Sequence, residues 1–346
     1  MTPLLSAAAA LAAAAILEVP AGEPLAAALA RARPGDVVRL GPGDHAGSLG
    51  RLDGIRVEGA GPAATRVLSP EGEDGAVVVG RAEISGLAIR AGPARSAVKV
   101  LGGTARLSDV ALRGGASGAF VDGGRLDGEG VDLVGGHYGL LSARGQVALR
   151  GGSARGGMAG VGILGGALDL SRFAVVGPSR EAGISVSGGR ARLSAVTVRA
   201  PGPTGIAVDR GTVEGEDVLV AGAVEQDGFL GDCLMARRGT VRLAASTFLG
   251  CAGTALSASG GEVRLSGVDA VCGASGCLVF VNDARADLEG GLCAGRGPAL
   301  VAGSGAQVRT RFERWRTDPT VWVDCGAGAR VRILDGGARQ PCPGSP

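Results

Sequence analysis

TARLSDVALRGGASGAFVDGG, residues 104–124, and RLDGEGVDLVGGHYGLLSARG, residues 125–145, are consecutive lines carrying one pattern in different residues. Counting each line from its first residue, positions seven and nine are apolar: Val110 and Leu112 in the first, Val131 and Leu133 in the second. Residues two apart share one face of a strand, so this alternation predicts a strand with a buried side. Glycines follow at once, a second apolar stretch comes next, and another glycine closes the line.

The pattern continues in both directions. QVALRGGSARGGMAGVGILGG (146–166), ALDLSRFAVVGPSREAGISVSGG (167–189) and RARLSAVTVRAPGPTGIAVDRG (190–211) follow, and after an irregular line it resumes at 240 and runs to 305. A fixed period of this size marks a repeat architecture. Position four is usually Leu or Ile: Ile84, Leu107, Leu149, Leu170, Leu193, Leu243, Leu265 and Leu288. Glycines interrupt every run and apolar residues never hold a 3.6-residue spacing, so the lines predict no helices. The arrangement that suits them is a coil, each line one turn, its strands pairing in parallel with those of the next turn about 4.8 Å away. Equivalent apolar residues then stack as ladders inside a narrow tube. The expected fold is all-β, with about 12 coils of 21–23 residues, glycines supplying the tight corners.

Composition agrees. Glycine contributes 65 of 346 residues without the every-third-residue spacing of collagen, and 45% of the chain is hydrophobic, too much for a disordered protein. With 35 basic and 33 acidic residues, the whole-molecule charge of +2 supplies no field for nucleic acid. MTPLLSAAAALAAAA (1–15) has the length and small-residue end of a signal peptide, so we expect an exported protein. The expected domains are that leader, a repeat domain over 16–335 and a tail over 336–346. No later segment is long and apolar enough to span a membrane.

PLAAALARA (24–32), RPGDVVRL (33–40) and GPGDHAG (41–47) extend the argument. A short amphipathic helix, a Pro-Gly-Asp strand and a Pro-Gly turn ahead of such repeats resemble the right-handed parallel β-helix proteins of the pectin lyase-like superfamily. The resemblance covers roughly 16–335 and implies a single-stranded right-handed β-helix with the helix covering its first open edge. It implies little about activity, because that superfamily holds lyases, hydrolases and adhesins. An apolar or aromatic residue commonly follows the turn in such starts. His45 takes that place and is expected to be packed, with Asp44 forming the turn.

Catalytic motifs of the superfamily's enzymes do not appear. The Asn-Thr-Asp, Asp-Asp, Gly-His-Gly and Arg-Ile-Lys elements of polygalacturonases are missing, and VWVDC (321–325) echoes a pectate lyase motif only faintly. His137 and Tyr138 sit in a turn, with Glu129 and Asp132 as the nearest potential partners on stacked neighbours.

The line 212–239 is too long, and its surplus, roughly 222–232, is expected to bulge as a loop. It carries Glu225, Asp227, Phe229 and Asp232, followed by Arg237 and Arg238, and these six are the binding candidates. No cofactor is expected. Calcium is the one metal its carboxylates would suit, although their spacing matches no known ligand loop. Arg90, Arg113, Arg155 and Arg199 share position ten and should line one edge, where a solvated stripe is the plain expectation and bidentate contact with an acidic glycan the sharper one.

All seven cysteines lie in the last third. In an exported protein they read as disulfides. The repeat brings Cys233, Cys251, Cys272 and Cys277 to one corner of successive coils, and Cys325 and Cys342 are spaced to clasp the tail. Cys293, at a core-facing ninth position, is left as the free thiol. Trp315 and Trp322 are expected to close the last coil. The function expected is that of a monomeric, non-catalytic surface or extracellular module, binding or structural, with polysaccharide the expected ligand class. A polysaccharide lyase or glycoside hydrolase and a self-assembling scaffold are the alternatives.

Overall fold

The computed structural model describes residues 14–177, 179–226, 231–272, 276–295, 298–311, 314–316, 323–334 and 342, without the side chains of 272, 314–316 and 324. The chain winds into a right-handed parallel β-solenoid of about 13 turns, one more than the repeats predict, with one short helix. Every regular coil contributes a long strand such as Thr104–Gly114 to one sheet and a shorter strand such as Ser117–Asp122 to a second. Both pair in parallel with their equivalents one coil away, Leu107 beside Ile84 and Val110 beside Val131.

The long strand is bent in the middle, and the bend explains a parity break in the sequence. Positions two and four face the lumen, as do seven and nine, so the alternation slips by one residue between them. Position six absorbs the slip in the left-handed backbone region: Gly86, Asp109, Gly130, Gly151, Arg172, Ala195, Asp217, Ala245, Gly267 and Gly290 have φ between 44° and 67°. Glycine was the residue expected at corners, yet half of these are not glycine. The left-handed region costs a side chain about 1–2 kcal/mol. The two sheet segments and their ladders hold the corner in place regardless.

Ladders run the length of the tube. All eight of the position-four residues named from the sequence are at most 3% exposed. Position two, unremarked in the sequence, is equally buried at Ala105, Leu126, Val147 and Leu168. Position four is glycine in two coils, and the neighbour leans in: a Cβ on Gly128 would lie 2.7 Å from a Leu149 methyl, and one on Gly215 2.8 Å from a Leu243 methyl. Close packing of this kind leaves no void under a missing side chain.

Both ends carry devices that the repeat does not need. Helix Leu25–Arg31 buries Leu25 and Ala28 against the first coils. Asp36, of the Pro-Gly-Asp element, is a clamp: its carboxylate accepts from the Ala15 N–H at 2.9 Å and the Arg33 N–H at 2.8 Å. These two donors, Ala15 first, hold its pKa below the usual carboxylate range. Toward the other end, disulfide Cys233–Cys251 joins adjacent coils, and Cys325–Cys342 ties Cys342 to strand Val323–Cys325, with Cα separations of 5.4 and 5.6 Å. Closing a loop as short as the second one is worth on the order of 3 kcal/mol in the chain-entropy account. Cys251 and Cys272 pair on adjacent strands, as the corner placement requires. The Cys272 side chain lies outside the described residues, and the Cys277 sulfur sits buried 3.4 Å from the Ala294 carbonyl oxygen. Cys293 is a buried free thiol. Trp322 and the Trp315 side chain lie outside the described residues, as does most of the leader and tail. Among the described residues, no helix is long and apolar enough to cross a membrane.

Candidate functional site

His45 lies within strand Gly43–Ala46 rather than in a turn. It pairs with Val67 as a rung of the position-nine ladder, is fully buried, and has Nε2 2.8 Å from the Gly41 carbonyl oxygen. Asp44 points outward and pairs with Arg66 at 2.6 Å. The two are structural, and Asp44 is a strand residue, not a turn-former, because the coil needs its first rung there.

Outside the lumen, positions three and five form the outer face of the first strand segment. A groove of about 730 Å³ follows this face from Arg106 to Glu216, and a second of about 740 Å³ continues it from Glu214 to Leu334. They meet at Glu214, Gly215 and Glu216 and so make one channel parallel to the solenoid axis. Its walls alternate guanidinium, carboxylate and hydroxyl groups, because in a parallel stack the same position recurs every coil.

Most of its charges are tied to neighbours. Glu214 is held by Arg192 at 3.5 Å and Arg242 at 3.2 Å, and Arg264 spans Glu262 and Asp287 at 2.6 and 4.0 Å. Asp127 is gripped by Arg125 at 2.8 Å. The hydrogen bond that Arg125 donates to Asp127 raises the Arg125 pKa further. The charge ladder continues below the channel through Arg56, Glu83 and Arg106.

Past the corner, positions eight and ten form a second outer face of different character. Position ten runs Arg90, Arg113, Val134 in pairing register, and Val134 pairs with Arg155, Val176 with Arg199. All four arginines are exposed, and among the described residues none of them makes an ion pair. The stripe expected from the sequence exists, with valines between its arginines.

Four of the six insertion candidates are among the described residues, and Asp232 stands apart from Arg237 and Arg238. Glu225 is exposed, while Asp227 and Phe229 lie outside the described residues. Asp232 opens strand Asp232–Arg237, where it accepts from the Thr254 N–H at 2.9 Å and the Ser257 hydroxyl at 2.7 Å. It stitches coils together. Arg237 and Arg238 stand at the far end of that strand, about 17 Å from Asp232 at 3.3 Å per residue. They line a separate depression of about 250 Å³ with Asp209 and Ser185. No group of three or more His, Cys, Asp or Glu side chains among the described residues forms a metal site.

His137 is exposed, and its backbone carbonyl accepts from Met158 and Ala159. Tyr138 has its pKa raised by burial and by the Glu181 charge, while Asp132, one of the two partners expected for this turn, accepts a hydrogen bond from Ser153.

No protein-family model matches the chain, and no curated protein matches it. Among solved structures, the Agl-KA catalytic domain is similar over 90% of this chain, at 13% identity and a TM-score of 0.51. This chain spans 64% of that domain. The catalytic domain of a GH87 α-1,3-glucanase in complex with tetrasaccharides is similar over 91% of this chain and 68% of its own length, at 10% identity and TM-score 0.51. The chain has the parallel β-helix fold of these structures. The Azotobacter vinelandii mannuronan C-5 epimerase AlgE4 A-module also matches, over 85% of this chain and 90% of its own, at 12% identity and TM-score 0.47. At such identities the likeness of this β-helix to its neighbours concerns the fold alone.

Proposed function

We propose that this β-helix is an exported module that binds a linear polysaccharide along the channel of its first outer face. The observation carrying this reading is the continuity of the channel from Arg106 to Leu334, parallel to the axis. A linear polymer matches a straight, repeating groove, and Ser171, Ser194 and the carboxylates around them suit the hydroxyls of sugars. A glucanase of the same fold held tetrasaccharides, which favours a glycan over other linear polymers. Disulfides Cys233–Cys251 and Cys325–Cys342 support an oxidising compartment, and so export.

Binding without cleavage is the reading the charges favour. Asp127 and Glu214 each have their carboxylate oxygens engaged by arginine, which leaves them poorly placed to face a glycosidic oxygen as general acids. The second reading is a glycoside hydrolase. It rests on Asp127 with Glu129, Glu214 with Glu216 and Asp287 with Glu289, each pair on one face of a strand about 7 Å apart, within the range hydrolases use. A glycan array probed with the purified chain and with Ser194→Trp, which fills the channel, decides the binding site. Retention of a linear glycan by the parent and its loss in the variant is expected; equal retention removes the channel from consideration. Release of reducing ends, abolished by Glu216→Gln, replaces the binding module with the hydrolase.

A further inference from the structure

The second outer face is electrostatically unlike the first. Among positions eight and ten from Ala88 to Arg199, Asp132 is the one carboxylate, and it accepts a hydrogen bond from Ser153 at 2.8 Å. Four guanidinium groups stand against it. Three of them alternate with valine along the axis as Arg113, Val134, Arg155, Val176, Arg199, and Arg90 stands directly beside Arg113 one coil earlier; position eight supplies small residues, Ala111, Ser153 and Ala174, beside them. From Arg113 to Arg199 the result is a strip with a cation at every second coil, a spacing of about 10 Å, and an apolar contact between. Val134 is 38% exposed, a branched apolar side chain left in water on a flat face.

We propose that this strip is a binding site for a linear polysaccharide bearing one carboxylate per disaccharide, laid parallel to the solenoid axis. Each guanidinium meets a carboxylate bidentately, a match of two parallel N–H donors to two oxygens that a lysine does not reproduce. Val134 and Val176 contact the C–H faces of the intervening uncharged sugars. A single-stranded nucleic acid fits less well: its charge recurs at every nucleotide, and no aromatic side chain stands at positions eight or ten for its bases to stack on. The site is separated from the channel by the position-six corner, so it stands independently of the glycan reading given above.

Isothermal titration with a hyaluronan decasaccharide, which carries one carboxylate per disaccharide, tests it. Neutral dextran of similar length and a ten-nucleotide oligo(dT) serve as comparison ligands. Hyaluronan is expected to bind, more weakly as salt rises, and dextran not to bind at this face. Arg113→Gln with Arg155→Gln is expected to weaken hyaluronan at least tenfold, as the loss of charge-assisted contacts implies. Arg113→Lys with Arg155→Lys is expected to recover only part of it. Ser194→Trp, across the corner, is expected to leave hyaluronan binding unchanged. An unaltered Kd in the double glutamine variant, tighter binding of oligo(dT) than of hyaluronan, or loss of hyaluronan binding in Ser194→Trp each overturns the proposal. Circular dichroism melting of the variants separates lost contacts from lost fold.

Discussion

The two outer faces flank the same corner and enclose the same lumen, yet they treat arginine in opposite ways. On the first face, Arg192 and Arg242 close on Glu214, and Arg56 and Arg106 on Glu83, so that carboxylates alternate with guanidiniums along the ladder. On the second, Arg113, Arg155 and Arg199 alternate with valine or with nothing charged. A parallel stack places equivalent positions side by side, so whatever occupies one position sets the charge of a whole stripe. Opposite charges in adjacent coils cancel it; arginine with apolar spacers leaves it open to a partner. The channel therefore offers neutral, hydrogen-bonding walls, and the strip offers unspent positive charge.

The largest expected effect tests whether the faces share one foundation. Leu193 is 2% exposed and pairs with Leu170. Leu193→Asp buries a charge with no partner and should destabilise on the order of 4 kcal/mol. Denaturant unfolding measures it, and an unchanged midpoint means that position four does not face the lumen. The corner comes next. A Cβ on Gly130 meets nothing closer than 3.8 Å, so Gly130→Ala isolates the left-handed backbone cost, about 1 kcal/mol. Asp217→Gly, at the same position of another coil, should shift stability the other way by a few tenths to about 1 kcal/mol. Matching signs for the two would show that position six is not the hinge between the faces.

Smaller effects distinguish the faces directly. Arg242→Gln removes two ion pairs from Glu214 and Glu262 on exposed side chains, so the loss should stay below about 1 kcal/mol and shrink with added salt. Arg155→Gln, which breaks no ion pair among the described residues, should leave stability within about 0.5 kcal/mol of the parent at any salt. A salt-dependent loss at Arg155 like that at Arg242 would erase the contrast between the two stripes.

Much of this was legible in the chain. The period of the lines gave the coil, the position-four and position-nine apolar residues gave two ladders, and the arginines at position ten gave the stripe. The spacing of Cys325 and Cys342 pointed to their bond. Residues at one position of successive lines must stack, because parallel pairing repeats the register coil after coil, and so everything that runs along the axis can be read in one dimension. What runs around the perimeter cannot. Arg237 and Arg238 follow the insertion closely in sequence, yet a full strand carries them to another corner from Asp232. Asp44 and His45 are adjacent, and the pleat sends one to Arg66 and the other into the lumen. The slip from position four to position seven hints at a corner, but its angle depends on a left-handed residue that five coils build without glycine. That the outer face of the first strand segment forms a groove from Arg106 to Leu334 is likewise not written in any one line. A repeat states its neighbours along the stack in its own period; only the folded cross-section settles which residues face each other around it.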